Sequence, residues 1–233
     1  SRWWLHHSLS SLYNKLNGKL CVYKGDPKEV FDQLANRFII KEIFWNRCYE
    51  PWRIKRDIDL KIYLEAQAIR INTFNGSLLW EPWTVKKPDG TPYKVFTPFY
   101  KRGCLSAVPP RTPLGEPDLK NVIGEQVNDD NIERLSLLPK IHWYKTMDAL
   151  WKPGEDGATF KLKSFLECGL AGYKEGRNFP SKENVSQLSP HLHFGELSPN
   201  QVWYAASDSI GSTGSQSDLI HFHSELGWRE FSY

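Results

Sequence analysis

Two short patterns in the last third of the chain carry residue types suited to chemistry. Ser189-Pro190 and Ser198-Pro199 each place a hydroxyl ahead of a proline suited to the first helical turn. Gln201, three residues after Ser198, can close a capping box. Hydroxyls and free N–H groups at the positive end of a helix dipole form a seat for phosphate. Two ordinary caps would read the same way. Farther on, Glu225, Trp228 and Arg229 sit three and four residues apart. On a helix Glu225 and Trp228 share a face, and Glu225 and Arg229 can pair. A carboxylate accepts a hydrogen bond from a base N–H, or donates one when protonated, and a flat indole stacks on a splayed base.

Other chemistries find less support. His191/His193 and His221/His223 stand two apart, which on a helix points them away from one another. They read as core or hydrogen-bonded histidines, and no metal is expected. The four cysteines, Cys21, Cys48, Cys104 and Cys168, show no C-x-x-C spacing. They read as reduced, mostly buried thiols of a cytoplasmic protein. No Gly-rich dinucleotide fingerprint, Walker loop or nucleophile elbow occurs. No apolar run is long enough for a membrane helix.

These groups need elements to hold them. The 233 residues suffice for one large or two smaller domains, and a net charge of +3 is too small to identify a nucleic-acid partner by itself. Ten tryptophans are an excess suited to core packing or to stacking on flat ligands. The spacing predicts a helix over 1–16 with Trp4, Leu5, Leu9, Leu12 and Leu16 on its apolar stripe, stopped at Asn17-Gly18. Residues 19–24 alternate like a strand. Asp26 caps a helix with Pro27 in its first turn and Val30, Phe31, Leu34 and Ala35 buried. Residues 42–46 and 69–74 read as strands flanking a helix that opens at Glu50-Pro51 and runs to Ala68. Strands alternating with helices predict parallel βαβ units in a sheet covered on both faces.

From Cys104 to about Pro139 the chain is Pro- and Gly-rich and reads as a surface connector. Helical spacing returns with Phe160, Leu162, Phe165 and Leu166, then the two capped helices and a last helix over 219–233. Residues 207–217 read as an exposed Ser/Gly loop. The expected organisation is an α/β domain over 1–103, a connector over 104–150 and a helical domain over 151–233. Both ends read as cut.

In order along the whole chain, several segments resemble the DNA photolyase/cryptochrome family. Val185 to Pro199 (VSQLSPHLHFGELSP) is similar to its flavin-cradling segment, and Ala171 to Pro180 (AGYKEGRNFP) carries its flavin-contacting tyrosine. Glu225 to Phe231 (ELGWREF), Tyr93 to Phe99 (YKVFTPF), Asn46 to Trp52 (NRCYEPW) and Ser1 to His6 (SRWWLH) are also family-like. The resemblance implies a Rossmann-like parallel-sheet photolyase domain, a long connector and the start of a helical FAD-binding domain. It implies that Tyr173 lies against FAD, and that Val185, Ser186, Gln187, Leu188 and Ser189 wrap its ribityl chain and phosphates. Val185 stands where Thr is usual and Gln187 where Arg is usual. Arg229 falls on the flavin side, Phe222 where a tryptophan often stands, and Glu225 and Trp228 toward the lesion.

The function so implied is light-driven, FAD-dependent repair of cyclobutane pyrimidine dimers by a class I–like deoxyribodipyrimidine photolyase. UV-damaged DNA is the partner, with a monomeric protein and no membrane. A folate- or deazaflavin-type antenna is expected near Asn46 to Trp52, although Trp52 and Arg53 occupy the spacing where folate-binding members carry other polar groups. The alternatives are a cryptochrome photoreceptor, a (6-4) photolyase, which the Leu188 to Glu196 wording disfavours, and a flavin-free α/β interaction module. The isolated 233 residues are expected to bind FAD poorly and to repair nothing.

Overall fold

The structure, a computed structural model, describes residues 1–124, 132–210 and 214–233. Residues 125–131 of the expected connector and 211–213 of the expected Ser/Gly loop lie outside the described residues.

Helix α1 (Arg2–Lys15) forms as its periodicity requires, and it stops where Asn17 and Gly18 turn left-handed, at φ 52° and 77°. Its burial is concentrated at the start. Trp3 and Trp4 are buried with Tyr144 against Trp151 and Phe194, whereas Leu5, Leu9 and Leu16 are half-buried and Leu12 is exposed. The expected strand at 19–24 does not form.

Helix α2 (Pro27–Ala35) starts as predicted, with the Asp26 carboxylate accepting from Lys28 N at 2.8 Å. Its apolar face is less covered than expected: Val30, Phe31 and Leu34 are half-buried and Ala35 is exposed. Strand β1 (Glu42–Asn46), helix α3 (Pro51–Glu65) and strand β2 (Arg70–Phe74) make the expected βαβ unit, with Ile43 opposite Ile71 in parallel register. Leu60 and Leu64 of α3 and Ile71 of β2, with Ile69 just ahead of the strand, form its core. The sheet has two strands among the described residues, and it is not covered on both faces. Phe44 and Phe74 stack on each other in the open, and Ile58 and Ile62 are more than half exposed.

A second core joins the middle of the chain to its later helices. Leu79, Trp80, Val85, Tyr100 and Cys104 pack with Leu162, Phe165, Leu170, Tyr173, Leu188, Val202, Phe222 and Leu226. Between β2 and the later helices lie α4 (Phe96–Pro98), which widens into a π-turn over Phe99–Gly103, and then α5 (Lys145–Leu150). The later helices are α6 (Glu155–Ser164), α7 (Tyr173–Gly176), α8 (Ser189–His193), α9 (Pro199–Ser209) and α10 (Gln216–Phe231). In α6 Leu162 is buried but Phe160 is 70% exposed, so the expected stripe is interrupted. Helices α9 and α10 absorb Ser207–Ser209 and Gln216–Ser217, which shortens the expected loop. Gly227 allows α10 to approach the π-turn, since a Cβ there would stand 2.5 Å from the Tyr100 ring. Of the cysteines, Cys104 alone is buried, and Cys168 is exposed.

Candidate functional site

One carboxylate brings the two aromatic residues of the expected site together. Asp218 lies in the first turn of α10, whose N-cap Ser215 accepts from Asp218 N and donates to its side chain. The same carboxylate accepts from Gly172 N at 3.1 Å and Lys174 N at 2.9 Å, where the left-handed Gly172 starts α7. Helices α7 and α10 are thereby tied at one end. Tyr173 meets Phe222 edge to face with ring centroids 5.4 Å apart, and Phe165 closes the trio at 5.6 and 4.7 Å. Burial pushes the Tyr173 phenol pKa up.

Phe222, Glu225, Leu226 and Arg229 follow a three- and four-residue spacing, so one face of α10 presents all four. They line a cavity of about 460 Å³. Tyr173, Ser186, Leu188 and Ser189 share that lining, and Arg47, Cys48, Tyr49, Glu50, Arg53 and Ser77 form the opposite wall. Val185 and Gln187 point elsewhere. They line a separate recess of about 380 Å³ with Lys161 and Lys182, where Lys161 Nζ donates to Gln187 Oε1 at 2.8 Å. The left-handed Gln187, at φ 54°, marks the turn from one side to the other.

The two Ser-Pro helix starts have different fates. Ser198 and Gln201 make the predicted capping box at the start of α9, but they line a third recess rather than the cavity. Ser189 does not cap α8. The Leu188 carbonyl already accepts from Leu192 N at 2.9 Å, so the helix begins one residue earlier than expected. The Ser189 hydroxyl is left for the cavity.

Two other expectations meet a different geometry. Glu225 pairs with Arg177 and not with Arg229, while Arg229 donates to Glu230 at 2.9 Å. Trp228 is absent from the cavity wall. It stacks on Phe96 at 3.7 Å and is 46% exposed. As expected, His191 and His223 behave as core residues, whereas His193 is exposed. His191 Nδ1 lies 2.5 Å from Glu196, which also accepts from Trp4 Nε1 and Gly154 N, and His223 Nε2 lies 3.1 Å from the Trp203 carbonyl. No group of His, Cys, Asp and Glu suited to a metal occurs among the described residues.

Motif reading did not assign Arg47, Tyr49, Arg53, Leu192, His193 or Tyr233 to this cavity, nor Arg177 to Glu225 on its wall. Arg177 lies four residues after Tyr173 in a segment the resemblance had singled out, so helical spacing was a usable signal. For Arg47 there was none. Its guanidinium spans Glu81 at 2.7 and 3.1 Å and the Thr73 carbonyl at 2.6 Å, while Tyr49 donates to Glu81 at 2.7 Å. Burial and the Glu81 charge push the Tyr49 phenol up.

The walls fit a flavin dinucleotide. The volume falls within the usual range for ligand pockets, on the order of 300–1,000 Å³. Tyr173 and Phe222 offer apolar rings to a flat ring system, and Ser186 and Ser189 offer hydroxyls to a polyol or phosphate. Arg53 Nε is buried and makes no hydrogen bond, a donor suited to an anion.

A family model described as DNA photolyase matches residues 1–118. The chain is 37% identical to a deoxyribodipyrimidine photo-lyase of Agrobacterium fabrum, over 99% of this chain and 49% of that protein. It is 30% identical to cryptochrome-1 of Arabidopsis thaliana, over 100% of this chain and 36% of that protein. It superposes on the crystal structure of a bacterial class III photolyase from Agrobacterium tumefaciens with a TM-score of 0.90 at 36% identity, over 99% of this chain and 48% of that one. The chain thus spans about half the length of the curated photolyase it matches at 37% identity. With the family model covering just over half of its residues, the chain belongs to the DNA photolyase family.

Proposed function

We propose that the protein carrying this chain is a light-driven, FAD-dependent photolyase that repairs cyclobutane pyrimidine dimers in UV-damaged DNA. The observation that carries this reading is the cavity itself, which gathers Tyr173, Ser186, Leu188, Ser189, Phe222 and Arg229 around one space with Glu225 on its wall. When bound, a flavin would supply light-driven electron transfer. The residues bind and position. Ser186, Ser189 and Arg53 hold the polyol and phosphates, Tyr173 and Phe222 exclude water from the ring system, and Arg229 supplies positive charge. Arg177 pairs with Glu225 and orients it until a base N–H presents itself. Trp228, backed by Phe96 on one ring face, offers the other to a flipped base.

We assign the α/β domain to 1–103, the connector to 104–150 and the flavin-binding helices to 151–233. A smaller recess of about 190 Å³ shares Arg47, Cys48 and Tyr49 with the cavity and is walled by Trp45, Ile54 and Trp83. Its place within the Asn46–Trp52 region supports a folate- or deazaflavin-type antenna there.

A second reading, a cryptochrome-type photoreceptor, is favoured by the position of Trp228 away from the cavity. Illuminated repair of defined cyclobutane and (6-4) lesions by the full-length protein separates the two. Cyclobutane repair that Glu225→Ala or Trp228→Ala abolishes supports the photolyase. Repair of neither lesion by a protein with a flavin spectrum supports the photoreceptor. A colourless protein without affinity for irradiated DNA defeats both.

A further inference from the structure

Glu230 has a side chain with no exposed surface, and the proposed reaction makes no use of it. Its carboxylate works in two directions. Oε2 accepts from Leu79 N at 2.8 Å and Trp80 N at 3.2 Å, which joins α10 to a segment about 150 residues away. Oε1 accepts from Arg229 Nη1 at 2.9 Å, and Arg229 lines the cavity. We propose that Glu230 is a positioning residue for the cavity ligand, holding the Arg229 guanidinium in place from behind through a charged arm anchored on the Leu79–Trp80 amides. This inference rests on the flavin reading.

Among the described residues, three donors meet this carboxylate. The two amides are fixed by backbone, so a proton must go to Oε1, where it confronts the Arg229 N–H groups. A donor set against a donor releases the guanidinium. Burial raises the Glu230 carboxyl pKa to about 7, while Arg229 and the two amides pull it down. The groups facing it are few. Arg229 comes from its own helix, Cys104, with Tyr100 beside it, comes from the turn after the π-turn, and Leu79 and Trp80 present amides alone. Burial pushes the Cys104 thiol up to about 12 and the Tyr100 phenol up as well, so neither changes charge near neutral pH.

The test is FAD binding to the full-length protein, followed by quenching of flavin fluorescence from about pH 8 to about pH 6. The wild-type protein should lose roughly tenfold in affinity on acidification. Glu230→Gln keeps an oxygen for the amides and turns its NH₂ toward Arg229, so it should bind weakly at every pH. Arg229→Gln should be weak and flat for the same reason, and it removes no buried group from the core. A wild-type affinity that is flat, or that rises in acid, overturns the proposal, the latter because Glu230 would then act as a competing charge. An inflection that persists in Arg229→Gln overturns it too. FAD that binds at no pH defeats the flavin reading itself.

Discussion

The two walls of the cavity are built differently. The wall of α7 and α10 grows out of the large core, where Tyr173, Leu188, Phe222 and Leu226 are buried and a carboxylate braces each end of α10. The Arg47–Arg53 wall sits on a two-stranded sheet with its own small core, and it leaves Phe44, Phe74, Ile58 and Ile62 exposed. Packing orders the first wall. Hydrogen bonding around Glu81 orders the second. A flavin seated between them would meet one side fixed by shape and another fixed by charge.

Substitutions can break this contrast, beginning with its firmest point. Phe222→Ala should cost about 3–5 kcal/mol in urea unfolding, because it empties a site packed by Phe165 and Tyr173. A cost near that of a surface change would mean that this wall is not packing-limited.

Acid should act on the same wall through His223. Burial lowers its pKa from 6.5 to about 4. Between these values the unfolded chain binds a proton that the folded chain refuses, so His223 removes stability as pH falls, by about 3 kcal/mol over the window. Glu230, raised from 4.5 to about 7, has the opposite sign, since its folded form takes up a proton first and gains stability in acid. Unfolding measured at several pH values should therefore show a shallower acid loss in His223→Gln than in the wild type. Parallel curves would exclude a buried neutral imidazole.

On the other wall, Glu81→Gln should cost roughly 1–2 kcal/mol, since it weakens the bidentate Arg47 contact and the Tyr49 hydrogen bond together. The effect should shrink in high salt, unlike that of Phe222→Ala. The smallest change belongs to the sheet layer. Ile62→Ser lies at a position 63% exposed and should shift stability by less than about 0.5 kcal/mol. A loss of a kilocalorie or more would show that this face is covered in solution.

Local chemistry was legible wherever it is self-contained. The Asp26 cap, the Ser198–Gln201 box, the Asn17-Gly18 stop and the βαβ order of 42–74 all follow from residues within a few positions of one another. Segments singled out in the sequence also meet in space, since Tyr173, Ser186, Leu188, Ser189, Phe222, Glu225 and Arg229 line one cavity. The sequence by itself thus determined these turns and caps, and the family. Tertiary structure decided the partners: Arg177 for Glu225, Glu230 for Arg229 and Phe96 for Trp228. It also brought Arg47 to Arg53 across from α10, a wall no local pattern announced. The physical reason is one of range. A cap or turn is satisfied within its own few residues, whereas an ion pair or stack is chosen by whichever group the packed core brings within reach.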